Sequence, residues 1–317
     1  MIDWYTANSV VIQATMTTLL LALSIQLPLR MGVFSFAGVG CFGIGGYTAA
    51  IAFTKFGMGT WTAVAFGTVL AGVLCYLLGL LVHKLTGLYL GMATIAFALI
   101  VSVVATNGGS LTGGASGLFG ALGGITNLHV FLLLAVVIIG LAISEAGRFG
   151  RKIDTVREDP ELAVALGINV TRYRKLTFLA SGLIGGLAGA VTTLLRSTIT
   201  PAEVNFHLVV VALTVIIIGG SSSWLGAFIG AVFITWLPTV LSFVAEWEPI
   251  IYGFVVALAA IFLPGGILGL VKDLRHRRGA RRGSTPPPEE GAAAPPDDEP
   301  HAPEPSRTPV PSQGGAL

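Results

Sequence analysis

Residues 126–152 read TNLHVFLLLAVVIIGLAISEAGRFGRK, an apolar run that opens on Thr126 and Asn127 and closes with Glu145 next to Arg148, followed by Arg151 and Lys152. A helix needs about 20 mostly apolar residues to cross the hydrocarbon core of a bilayer, and this stretch supplies them between polar ends. The pattern recurs on both sides, with apolar runs near 8–29, 36–54, 60–82, 88–106, 126–146, 176–196, 204–220, 224–245 and 249–270. The whole chain agrees: its 317 residues are 54% hydrophobic and 11% charged, with a mean hydropathy of +0.83. A soluble domain is about 25% charged, so this chain lacks the charge to cover a water-facing globule of its size. The Leu, Ala, Val and Ile runs do not alternate with polar residues, which excludes a membrane β-barrel. The reading is an all-α, polytopic helical membrane protein with about nine transmembrane spans.

Charge placement orients the spans. Lys and Arg occur only at Arg30, Lys55 and Lys84 before residue 148, whereas seven crowd into 148–175 and a second cluster runs from Lys272 to Arg282. Basic residues accumulate in cytoplasmic loops. Four predicted spans separate the two clusters, so both can face the cytoplasm, which places the amino terminus outside and the carboxyl terminus inside. Arg30 and Lys84 obey this topology; Lys55 and Arg196 do not.

Two domains are expected. Residues 1–271 form the membrane domain, with a cytoplasmic loop at 147–175. Residues 272–317 are basic and then rich in proline and acid, with ten prolines after 284. Such a tail cannot bury enough apolar surface to offset its ordering entropy and is expected to be a disordered cytoplasmic segment. Its basic part, 275–282, suits contact with anionic membrane lipid. Cys41 and Cys75 lie inside apolar runs and read as small hydrophobes rather than a disulfide or metal site. His83, His129 and His207 are scattered near span ends without ligand spacing, so no metal or other cofactor is expected. Asp3 stands where a cleaved signal would carry positive charge. Nothing points to nucleic acid as a partner.

The loop at 147–175 contains a well-marked short helix. Asp159 is a natural N-cap, Pro160 suits the first helical position, Glu161 favours the positive end of the dipole, and Gly167 can terminate in the left-handed conformation. Leu162, Ala163 and Leu166 would share one face, while Arg157, Glu158 and Glu161 stay solvated or meet a partner. Spacing alone leaves two readings: the helix returns the chain to the membrane, or it docks another protein.

Polar positions in the apolar body are candidates for a solute pathway. Gln26, Ser35, Tyr47 and Thr94 lie within or beside spans, where interhelical hydrogen bonding is the alternative fate. Residues 107–124 hold eight glycines in eighteen positions, including Gly113 and Gly114 beside Thr112 and Ser116. This segment is either a flexible external loop or non-helical chain dipping into the membrane to offer backbone groups to a zwitterionic solute. Glycines 38, 40, 43, 45 and 46 read as helix-packing positions. No ionisable residue sits deep in a span as a proton relay would, and no Gly-x-x-x-x-Gly-Lys-Ser/Thr phosphate loop is present.

Several stretches, taken in order, resemble one family. Arg157-Glu158-Asp159, Ala163 and Gly167-Ile168 resemble the Arg-Glu-Asn-x-x-x-Ala-x-x-x-Gly-Ile coupling loop of LivH/LivM-type branched-chain amino acid ABC permeases, LivM-like in particular. Phe42 to Ala50 resembles their early Gly-Ile-Gly-Ala-Tyr segment. Tyr89 to Ala98, with Ser110 to Gly114 and Gly117-Leu118, resembles the middle signature, and Leu263-Pro264 to Gly269-Leu270 resembles the closing Pro-x-Gly-Leu-x-Gly-Leu. Ala37-Gly38 and Ala115-Ser116 depart from the usual residues. The resemblance implies a multi-pass permease subunit in the cell membrane with no ATPase site of its own, carrying branched-chain or other hydrophobic amino acids. Its partners would be two cytoplasmic ABC ATPase subunits, a second LivH-like permease and an extracytoplasmic substrate-binding protein. Arg157, Glu158, Asp159, Glu161, Leu162, Ala163, Leu166 and Gly167 would couple to the ATPase. The alternatives are a permease for urea or a short amide, and a secondary transporter or channel acting alone.

Overall fold

The computed structural model describes residues 8–145, 147–221 and 223–241, with positions 251, 253, 254, 256–258 and 266 beyond them. The tail at 272–317 and most of the predicted span 249–270 lie outside the described residues.

The elements follow the apolar runs: α1 (Ser9–Arg30), α2 (Ala37–Thr54), α3 (Thr60–Val82), α4 (Gly87–Asn107), α5 (Asn127–Glu145), α6 (Gly147–Glu158), α7 (Pro160–Ala165), α8 (Val170–Arg196), α9 (Phe206–Gly219) and α10 (Trp224–Leu241). Seven are long and apolar enough to cross a membrane: α1 to α5, α8, and α9 taken with the 3-10 turn Pro201–Glu203 that precedes it. In α10 the apolar stretch Trp224–Val240 is shorter. Among the described residues the membrane body is helical, and the two-residue strands β1 (Leu118–Phe119) and β2 (Thr198–Ile199) pair antiparallel in the connections, with Leu118 opposite Ile199.

Two boundaries differ from the sequence reading. The helix predicted over 176–196 begins at Val170, because the Asn169 side chain accepts a hydrogen bond from the Arg172 amide at 3.0 Å and caps the first turn. Residues 147–158, expected to be loop, form α6. Ile153 and Val156, three apart, are buried together while Arg151, Lys152, Asp154 and Arg157 are exposed. That narrow apolar stripe on a charged helix suits the membrane–water boundary.

Lipid tails are as apolar as leucine, so transmembrane helices associate by close packing and interhelical hydrogen bonds rather than by escaping water. The centre of this bundle is the contact of α2 with α8. A Cβ placed on Gly45 would land on the Gly186 backbone, and one on Gly189 would land on the Phe42 carbonyl. Only glycine permits that approach. The α3 helix packs beside them, with Gly79 against Phe178 and Gly72 against Leu183. On the other side, the Ser181 hydroxyl donates to the Ser24 carbonyl at 2.6 Å and ties α8 to α1. The outward faces of α3, α4 and α5 expose Leu81, Val103, Val136 and Ile139, as lipid-facing helices do.

The α9–α10 hairpin rests on α1. With 14 residues, α9 extends about 21 Å, short of a hydrocarbon core about 30 Å thick. Its connection to α10 is received by Gln26, whose Nε2 donates to the Ser223 carbonyl at 2.6 Å. Gln26 lies one helical turn before Arg30, so this irregular backbone sits about 6 Å short of the helix end along α1. Non-helical chain at such depth persists only where protein covers it and supplies partners.

Two expectations follow. Gly189→Val costs about 3 kcal/mol or more through overpacking against α2. It lowers the thermal unfolding midpoint in detergent, whereas Gly140→Val, where an added Cβ meets nothing within 4 Å, leaves it unchanged. Gln26→Leu removes a donor from a buried carbonyl at a cost of about 1–3 kcal/mol. Amide exchange at residues 219–224 then rises ahead of exchange in α2 and α8, and unaltered exchange there would show that the connection is held by other contacts.

Candidate functional site

The outer face of the α6–α7 elbow is exposed and closed by hydrogen bonds at both ends of α7. Asp159 Oδ1 accepts from the amides of Glu161 and Leu162 at 2.9 and 3.0 Å, satisfying donors that a helix start leaves free. At the other end the Ile168 amide reaches the Ala163 carbonyl and the Gly167 amide reaches that of Val164, both at 2.9 Å. This double closure requires the left-handed φ of +77° at Gly167. A helix of six residues is thereby held rigid at both ends.

Of the residues expected to share an apolar face, Ala163 is fully buried, whereas Leu162 and Leu166 are exposed at 51% and 64%. Val164 joins them at 62%. The short side chain of Ala163 lets α7 seat against its neighbours, and the larger residues on either side project outward. Arg157, Glu158 and Glu161 are exposed and form no ion pair among the described residues. The surface is a small apolar knob with unpaired charges beside it.

The elbow is fixed to the bundle from two directions. Ile153 joins a buried cluster with Met31, Val33, Cys75, Val82 and Phe178. Gly32, in the turn after α1, faces the backbone of Arg157 at about van der Waals distance. Just above, Arg30 and Glu145 form a salt bridge at 2.6 Å with side chains 13% and 22% exposed, joining the ends of α1 and α5. The sequence reading set Glu145 beside Arg148 and missed this pair; the clue was that both residues close spans ending on the same side. The elbow is thus packed against the ends of α1 and α8 and follows directly on α5.

The expected pathway residues divide between the two ends of the bundle. On the Arg30 side, Gln26 holds the α9–α10 connection, the Ser35 hydroxyl accepts from the Ala37 amide at 3.3 Å, and Thr94 accepts from the Phe36 amide at 3.0 Å. These three complete backbone hydrogen bonding where α1 turns into α2 and α9 into α10. Towards the opposite end, the Thr112 hydroxyl donates to the Ala105 carbonyl at 2.6 Å and folds its loop back onto α4. Gly113 and Gly114 form the following turn with positive φ, and Ser116 is exposed. Tyr47 differs from all of these: its side chain is 6% exposed and its hydroxyl has no hydrogen-bond partner among the described residues. Glu203, in the connection that precedes α9, is half-buried and accepts from Thr200 at 3.4 Å. Its neighbourhood is assembled by β1–β2 pairing and by Ser102 donating to the Pro201 carbonyl at 2.8 Å, long-range contacts that no local pattern signals.

Comparison with known proteins agrees with this architecture. The family model described as "Branched-chain amino acid transport system / permease component" matches residues 9–263. The high-affinity branched-chain amino acid transport system permease protein LivM of Salmonella typhimurium is 24% identical over 308 residues, covering 85% of this chain and 72% of the relative. LivH of Escherichia coli is 27% identical over 150 residues, 46% of this chain and 48% of the relative. The nucleoside ABC transporter permease protein NupC of Lactococcus lactis is 41% identical over 66 residues, 21% of each chain. No solved structure matches the chain. The family match over residues 9–263 establishes that the chain belongs to the branched-chain amino acid permease family of ABC transporters, as a multi-pass membrane protein whose described residues hold seven span-length apolar helices.

Proposed function

We propose that this chain is the permease subunit of an ATP-driven importer that passes branched-chain or other hydrophobic amino acids inward across the cytoplasmic membrane, with ATP hydrolysed by separate subunits. The observation that carries the proposal is the α7 knob: Leu162, Val164 and Leu166 stand in solvent on a helix capped at both ends and anchored through α6 to three membrane helices. Ordering an exposed apolar surface this firmly, outside the bundle, suits a partner that pushes on it. In this reading two ABC ATPase subunits hydrolyse ATP, one of them receives α7 in a cleft, and Arg157, Glu158 and Glu161 provide charged contacts at the rim. A second permease, LivH-like, completes the pathway, and an extracytoplasmic binding protein delivers the solute. The amino terminus lies outside and the elbow inside.

Coupling requires that the cleft hold α7 more tightly in one state of the ATPase pair than in the other. The difference is then delivered through α6 to α5 and α8, and the buried Tyr47 hydroxyl is the pathway group with hydrogen-bonding capacity still to spend. The solute is read from the LivM match, which spans most of both chains; the nucleoside permease shares only a short stretch.

In the reconstituted importer, Leu162→Asp with Leu166→Asp removes two apolar anchors. Loss of about 2 kcal/mol of docking energy weakens ATPase association roughly 30-fold, and leucine uptake falls with it while the amount of permease in the membrane is unchanged. Glu158→Ala and Gly167→Val leave hydrolysis running but separate it from uptake. Normal uptake in all three variants would contradict the docking role. Uptake of leucine, isoleucine, valine and urea, with and without the binding protein, checks the solute; gradient-driven flux by the lone chain would favour a stand-alone transporter.

A further inference from the structure

The first turns of α8 carry three cations within four residues, Arg172, Arg174 and Lys175, and none has a carboxylate partner among the described residues. The Nε of Arg174 is buried without a hydrogen-bond partner there. Arg172 and Lys175, with Tyr76, Asn169 and Thr171, line a cavity of ≈ 420 Å³. Leu176 closes one wall of it, and the same Leu176 opens a second, apolar groove of ≈ 440 Å³ bounded by α1, α5, α6 and α8. Leu27, Val137, Gly140, Leu179 and Leu183 line that groove. From Arg172 to Leu183 the rise along α8 is about 16 Å. The cationic cavity and the apolar groove thus adjoin at Leu176, with unpaired cations at the end of the bundle and an apolar surface further along the same helix.

Charge and polarity together select the occupant. A soluble anion would leave the groove empty, and an uncharged acyl compound would leave the cations unpaired. A zwitterionic lipid brings an ammonium group close to three like charges. A phospholipid with net negative charge satisfies both halves, because cations near a bilayer surface attract anionic head groups and apolar grooves between helices accept acyl chains. The geometry points to a bound anionic phospholipid whose phosphate lies against Arg172 and Lys175 and whose acyl chain follows Leu176 into the groove between α5 and α8. The site lies on α8 and its phosphate and acyl contacts do not depend on the importer reading. Its consequence is mechanical, since a lipid wedged between α5 and α8 lies between two of the helices that the elbow must move.

The test uses the full chain in nanodiscs of equal parts phosphatidylglycerol and phosphatidylcholine, released from the bilayer and weighed by native mass spectrometry. Wild-type protein retains phosphatidylglycerol selectively. The Arg172→Gln, Lys175→Gln double variant retains roughly 30-fold less, following the loss of two surface cations at about 1 kcal/mol each. Gly140→Phe fills the groove from a position where an added side chain starts in open space, and it reduces retention with the cations intact. Equal retention of the two lipids, or unchanged retention in the double variant, would overturn the proposal. Loss of lipid on adding millimolar inorganic phosphate, with Gly140→Phe behaving as wild type, would identify a free-phosphate site and overturn it as well.

Discussion

The contact between α2 and α8 governs the rest of the molecule. In a bilayer there is no water to drive helices together, and their backbones must approach closely enough for packing to do it. Gly45 beside Gly186 and Gly189 beside Phe42 make that approach possible. Once these helices touch, α1 is brought to α8 through Ser181 and Ser24, α3 fits the remaining side, and the α9–α10 hairpin finds its donor at Gln26. Every buried serine, threonine or glutamine named here is spent on backbone that the membrane would otherwise leave unsatisfied.

The same economy explains the two ends of the bundle. On the Arg30 side, polar groups stabilise turns and an ion pair closes α1 against α5, giving a rigid platform for α6 and α7. A platform that yielded would absorb a push from outside rather than pass it on. Towards the other end, a glycine-rich loop folds over α4 by way of Thr112 and pairs β1 with β2, and the buried Tyr47 hydroxyl has no hydrogen-bond partner among the described residues. The elbow proposed to receive the ATPase lies at one end and the unpartnered Tyr47 hydroxyl lies towards the other, an arrangement consistent with a permease driven by a separate motor.

Much of this was readable from residue order. Apolar length placed α1 to α5 to within a residue or so, since a membrane span announces itself by hydropathy alone. The α7 caps were equally plain, because Asp159, Pro160 and Gly167 act on neighbours no more than a few residues away. What the sequence concealed was long-range or sparse. The apolar stripe of α6 is only two residues wide at Ile153 and Val156, too thin to stand out among six charged residues. Gln26 looked like a pathway group because its partner, Ser223, lies 197 positions away. Leu162 and Leu166 were grouped with Ala163 by helical spacing, yet only the smallest of the three is turned inward, and that choice depends on how closely neighbouring backbones approach.

The account rests on α7 meeting an ATPase, and cross-linking measures that contact directly. The native thiols Cys41 and Cys75 are buried, so a single cysteine introduced by Leu166→Cys can be addressed by itself. In the assembled importer it should cross-link to an ATPase subunit, with a yield that changes between nucleotide-free and ATP-bound states. A cysteine at position 166 that reacts instead with a membrane-impermeant reagent applied from the extracytoplasmic side, or that never cross-links to the ATPase, would contradict the account.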